Sequence, residues 1–142
     1  MRKWEITVEI NAPIQVVWDR LTDFDNEAKW NPNVTSSAIR TVKTYGTGTM
    51  ITVNRGWTHH LLTIKEFQPD TFLSIDFKGD NTTGRSENFL QQNDKATILK
   101  HEYFLEIKGL NKYLRIFTRT RLKNEILALK KWIETNRITK VT

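Results

Sequence analysis

The sequence predicts an α+β fold: a strongly curved antiparallel sheet of six or seven strands wrapped around a long C-terminal helix, with two short helices after strand 1. Three observations predict it. Trp4, Ile6, Val8 and Ile10 alternate with Lys3, Glu5, Thr7 and Glu9, the period of a strand with one wet face. From Val34 to Ile107, β-rich runs are separated by short Gly, Pro, Asn and Asp clusters, and connections of that length join antiparallel neighbours. The stretch Leu110 to Thr135 then contains neither proline nor glycine and is long enough for about seven helical turns.

Asn11 offers an N-cap ahead of Pro13, which tolerates the first helical turn because its missing N–H has no helical partner there. A helix is expected from Pro13 to Asp23, with Ile14, Val17, Trp18 and Leu21 on one face at i, i+3, i+4 and i+7. A second short helix between Asp23 and Trp30 must stop before Pro32, since the residue preceding proline avoids the α region. Strands are expected at Ser36–Lys43, Thr49–Asn54, Thr58–Phe67, Thr71–Phe77, Arg85–Gln92 and Thr97–Ile107. The turns between the later strands are Tyr45-Gly46-Thr47-Gly48, Gln68-Pro69-Asp70, Lys78-Gly79-Asp80-Asn81 and Asn93-Asp94-Lys95. On the last strand Leu99, His101, Tyr103, Leu105 and Ile107 share a face, which puts two polar tips among buried apolar side chains. The C-terminal helix carries two offset stripes, Leu110, Tyr113, Leu114 and Phe117, then Leu122, Ile126, Leu129 and Ile133, with Thr118-Arg119-Thr120-Arg121 at the changeover. The helix either bends there or starts again.

With 142 residues, a single domain buries roughly 68–70% of its unfolded surface and needs no staple. There are no cysteines, which excludes disulfides and thiolate metal ligands. No apolar run reaches the length of a signal peptide or a membrane span, so a cytoplasmic protein is expected. The 22 Lys and Arg against 16 Asp and Glu give +6, and about half of the positive charge lies between Lys108 and Lys140. An interaction module using this basic helix is therefore one reading. Its aromatic residues do not interleave with its cations in the manner of a nucleic-acid stacking platform, so no nucleic-acid partner is expected.

One helix about 10 Å across cannot fill the hollow of so wide a sheet, and the remainder must hold large side chains, water or ligand. At this point the residues carry a resemblance. Ile10-Asn11-Ala12-Pro13-Ile14 with Val17-Trp18-Asp19, Leu21-Thr22-Asp23-Phe24, Lys29-Trp30-Asn31-Pro32, and later Leu122-Lys123-Asn124-Glu125 with Leu129-Lys130 closely resemble the SRPBCC superfamily. That group includes polyketide cyclase/dehydrase-like proteins, lipid-transfer domains and birch-pollen-allergen-like proteins. The resemblance implies a helix-grip fold with an internal ligand cavity, and its members range from carriers to enzymes.

The leading expectation is binding of a hydrophobic or amphipathic small molecule, a lipid included, in a pocket formed by His60, Leu62, Leu73, Ile75, Phe77, His101 and Tyr103. Phe117 and Arg121 of the last helix would complete it. Arg85 and Arg119 are further candidates for an anionic ligand group at the mouth. The rival is a cyclase-, dehydratase- or hydrolase-like enzyme with His101 as general acid or base and Tyr103 or Glu87 on the substrate oxygen. No nucleophile motif, glycine-rich phosphate loop or carboxylate pair accompanies them. His59 and His60 point to opposite faces of a strand and cannot share an ion. A metal would need His60, His101 and Glu87 to converge, and neither metal nor cofactor is expected. Trp18 and Trp30 read as core and loop anchors, while Trp57 has no clear place.

Overall fold

The computed structural model describes residues 2–40, 46–56, 58–107 and 115–136. Strand β1 (Arg2–Ile10) leads into helix α1 (Ile14–Leu21), a 3-10 turn (Phe24–Asn26) and helix α2 (Glu27–Trp30). Six strands follow, β2 (Ser36–Ile39), β3 (Met50–Arg55), β4 (Thr58–Gln68), β5 (Phe72–Lys78), β6 (Thr82–Asn93) and β7 (Ala96–Ile107), and then helix α3 (Arg115–Asn136). Together the strands form a seven-stranded sheet in the order β1-β7-β6-β5-β4-β3-β2, antiparallel at every pairing. The α1–α2 excursion carries the chain from one edge of the sheet to the other. From there the strands return as a meander.

Local chemistry accounts for the punctuation. Asn31 is extended (φ −88°, ψ 111°) ahead of Pro32 and ends α2, as the steric demand of proline requires. Asp70 and Asp94 adopt the left-handed conformation, φ 66° and 57°, which short polar side chains tolerate in turns. A bulge between Ile64 and Glu66 shifts the β4–β5 register, and such an extra residue bends its strand. Some expectations need correction. Asn11 does not cap α1 with its side chain; the helix starts after Pro13 without a side-chain cap, and Gln92 Oε1 instead accepts from the Ile14 N–H at 3.1 Å. Strand β6 begins at Thr82, three residues before the expected start, because Gly79 N–H bonds back to Thr82 O at 2.8 Å and closes a tighter turn.

Side-chain parity sorts the sheet into two faces. The outer face holds a ladder of ion pairs: Lys3 and Lys100 meet Glu102 at 3.3 and 3.2 Å, and Arg85 meets Asp76 at 2.8 Å. The inner face is apolar, but its buried side chains form two clusters. The larger joins Ile10, Val17, Trp18, Ile51, Ile64, Leu73 and Leu99 to Leu129 and Ile133 of α3. The smaller is Phe77 and Leu105, with Trp4, Leu62 and Tyr103 packed against them. Helix α3 runs unbroken through Thr118–Arg121, and among its described side chains Thr118, Leu122, Glu125, Ile126, Leu129 and Ile133 are buried. They fall at i, i+4, i+7, i+8, i+11 and i+15, one continuous stripe. The expected first stripe, from Leu110 to Phe117, lies outside the described side chains.

Candidate functional site

Between the two clusters, bounded by the inner face of the sheet, the α2 segment and α3, lies a cavity of about 350 Å³. Its walls draw on both: Val53, Leu73, Ile75 and Leu129 from the larger, Phe77 and Leu105 from the smaller. Thr58, Asp80, Asn81 and Arg121 also line it and are exposed, so they mark its rim. Every described residue of the expected pocket lies on this surface: His60, Leu62, Leu73, Ile75, Phe77, His101, Tyr103 and Arg121. The Phe117 side chain and Trp57 fall outside the described residues.

Glu87 is not there. Ser86 and Asn88 line the cavity, so strand alternation turns Glu87 to the outer face, 3.9 Å from Arg85. Arg85 itself is spent on Asp76 on that same face, and Arg119 is exposed and away from the walls. With Glu87 on the opposite face, the triad of His60, His101 and Glu87 cannot gather around a metal. No cluster of three potential metal-ligating side chains occurs among the described residues. Trp18 anchors the core edge-on to Phe67 at 5.1 Å, as expected. Trp30 instead lines the cavity and stacks on Trp132 at 6.4 Å.

His101 and Tyr103 project side by side from β7, their ring centroids 6.0 Å apart, and Phe77 stacks on the far side of Tyr103 at 5.0 Å. Burial pushes His101 down to about 4 and Tyr103 up to about 12, so both are neutral at pH 7. His101 Nδ1 lies 2.6 Å from Asn88 Oδ1, its direct cross-strand partner. The His60 pKa is lowered by burial and by the nearby charges of Arg55 and Arg121, and its Nδ1 is buried without a partner.

A second polar group was not anticipated. Arg55, the last residue of β3, donates to Glu125 Oε1 of α3 at 2.7 Å, and Asn33 Nδ2 donates to the same oxygen at 3.1 Å. Burial opposes the Arg55 charge, but Glu125 together with Tyr103 and Glu27 raises its pKa above the usual guanidinium range. Glu27 of α2 accepts from Asn31 at 3.3 Å through Oε1 while Oε2 stays buried and unpartnered. Desolvation lifts Glu27 to about 6, partly offset by Arg55 and reinforced by Glu125. The signal for two of these was present in the sequence. Arg55 continues the inward parity of Ile51 and Val53, and Glu125 sits inside the stripe of Leu122, Ile126 and Leu129. Nothing in the local pattern marks Glu27.

The Glu27 carboxyl makes stability depend on pH with a definite sign. Its folded pKa of about 6 exceeds the ordinary 4.5, so the native state favours the proton. The resulting stabilisation is complete below 4.5 and disappears as pH rises through 6. Glu27→Gln, which mimics the protonated carboxyl, is expected to be more stable than the wild type by up to about 2 kcal/mol at pH 8, and to lose that advantage near pH 4.5. Urea unfolding at the two pH values measures this. An equal difference at both would remove the assignment.

A curved sheet gripping one long helix around a partly apolar hollow defines the helix-grip fold class. The sequence family described as polyketide cyclase / dehydrase and lipid transport matches residues 1–92, and the chain belongs to that family, within the SRPBCC superfamily. A START superfamily protein from Mycobacterium smegmatis has the same fold, with a TM-score of 0.74 at 14% identity over 99% of both chains. The Zhui aromatase/cyclase from Streptomyces sp. R1128 gives 0.75 at 15% identity, over 95% of this chain and 94% of its own. A conserved protein from Geobacillus kaustophilus gives 0.73 at 14% identity, over 95% and 97%. Identities this low speak to the fold alone. No curated protein matches the sequence significantly, and among the described residues no helix is long and apolar enough to cross a membrane.

Proposed function

We propose that the protein binds a hydrophobic or amphipathic small molecule, lipids included, in the cavity between sheet and α3. The observation that carries this reading is the hollow itself, about 350 Å³ with walls of Leu62, Leu73, Ile75, Phe77 and Leu129 and a few polar tips. Its size and lining match those of small-molecule sites in general. The rim residues Thr58, Asp80, Asn81 and Arg121 mark a way in.

His101 and Tyr103, the pair expected to do acid–base chemistry, argue for binding over catalysis; the cavity carboxyl of Glu27, lifted to about 6, is the group an enzyme would have to use instead. General acid–base catalysis favours groups whose pKa lies near the working pH. Here burial drives His101 to about 4 and Tyr103 to about 12, so one is a weak base and the other a weak acid. The family description includes cyclases and dehydrases, and the two readings separate on His101→Ala. A carrier loses no more than the roughly tenfold affinity that one hydrogen bond supplies, whereas an enzyme loses turnover far more than binding.

Native mass spectrometry of freshly purified protein is expected to show a retained small molecule. Leu62→Trp, which grows a partly buried wall residue into open space, is expected to weaken binding of a neutral solvatochromic dye by about tenfold or more, with the far-UV spectrum unchanged. Undiminished dye binding in a folded Leu62→Trp protein would place the ligand elsewhere.

A further inference from the structure

We infer that Asn88 locks His101 in the tautomer whose Nε2 carries a lone pair toward the cavity, and that the ligand is a neutral alcohol or phenol whose O–H donates to that nitrogen. The inference rests on the small-molecule reading above and specifies its chemistry.

Asn88 stands on β6 directly opposite Leu73 of β5 and His101 of β7, and it is almost wholly buried at 3% exposure. Its amide orientation is set by its neighbours. The Leu73 carbonyl only accepts, so the group facing it at 3.3 Å must be the Asn88 NH₂. The other end is then Oδ1, which also only accepts, and it faces His101 Nδ1 at 2.6 Å. Nδ1 must therefore carry the proton. A neutral imidazole has one N–H, so Nε2 is left bare. The ring lines the cavity, and no described residue bonds Nε2.

The surroundings favour a hydroxyl over an anion. Arg55 is already engaged by Glu125, and Glu27 adds a second carboxyl beside them, so among the described residues the one other cation on the cavity wall is Arg121, which stands exposed at the rim rather than beside His101. Tyr103 stands next to His101 on the same wall and keeps its phenolic proton. A hydroxyl can donate to Nε2 and accept from a neighbouring O–H, whereas an ether or ketone can only accept. An acceptor-only ligand would leave Nε2 desolvated and unpaired.

Three small aromatic probes test this against displacement of Nile red: 2-naphthol, its methyl ether and 2-naphthoate. The naphthol is expected to bind about tenfold more tightly than the ether, and naphthoate more weakly than the naphthol. The tautomer is read on the unmodified protein from imidazole ¹⁵N shifts, with His101 protonated at Nδ1 and not at Nε2. His101→Phe, which keeps a ring but removes the acceptor, is expected to erase the preference for naphthol over ether. An Nε2-protonated tautomer, or naphthol and ether binding alike, would overturn the inference and leave the cavity reading standing. Failure of Nile red and all three probes to bind would overturn both.

Discussion

Truncating Glu125 to alanine is expected to cost about 2–3 kcal/mol of stability, while the double replacement Arg55→Met/Glu125→Leu stays within about 1 kcal/mol of the wild type. Glu125 is 10% and Arg55 21% exposed at the side chain, and they meet at 2.7 Å. Removing one partner of a fully buried pair typically costs about 3–5 kcal/mol, because the remaining charge is left desolvated. The smaller figure applies because Arg55 keeps some contact with solvent and because Glu27 stands within electrostatic reach to replace the lost carboxylate. Taking away both charges removes the desolvation penalty together with the attraction. Urea unfolding of Arg55→Met, Glu125→Leu and the double variant gives the coupling directly. A double variant as damaged as the sum of its singles would mean that the pair acts through packing rather than charge.

Gly84→Ala is expected to destabilise the fold by at least about 3 kcal/mol and to weaken dye binding in whatever protein still folds. A Cβ on Gly84 would stand 2.1 Å from the Phe104 carbonyl oxygen and 2.4 Å from Phe77 Cζ. The first of these is backbone on the adjacent strand, where Gly84 pairs with Leu105, so relief requires parting β6 from β7. The second is the ring that stacks on Tyr103 in the cavity wall. Ordinary overpacking costs about 1–3 kcal/mol when side chains can shift, and here a backbone atom blocks the shift. Thermal unfolding and soluble yield report the outcome. A Gly84→Ala protein within 1 kcal/mol of the wild type would show that the strands part more easily than their pairing indicates.

Much of the site was legible because strand alternation is a strict rule. Once Leu99 and Leu105 are taken as buried, His101 and Tyr103 must share their side of β7, and both line the cavity. The same rule places Glu87 outside, once Asn88 is known to face in. The sequence offers no apolar neighbour on that stretch of β6 to decide the parity: Arg85, Ser86, Glu87 and Asn88 are all polar. Asn88 was missed for the same reason. A buried asparagine and an exposed one look alike until the strands on either side supply a carbonyl and an imidazole.

Periodicity in β1, α1 and β7, the punctuating turns and the proline-free helix determine a curved sheet closed by a helix, because each is a local preference repeated over many residues. What the cavity contains was decided only in three dimensions. Arg55 meets Glu125 across 70 residues of chain and Asn33 meets the same oxygen across 92. Separations of that size leave no periodic trace in sequence, since the partners meet only after the sheet has bent and α3 has docked across it.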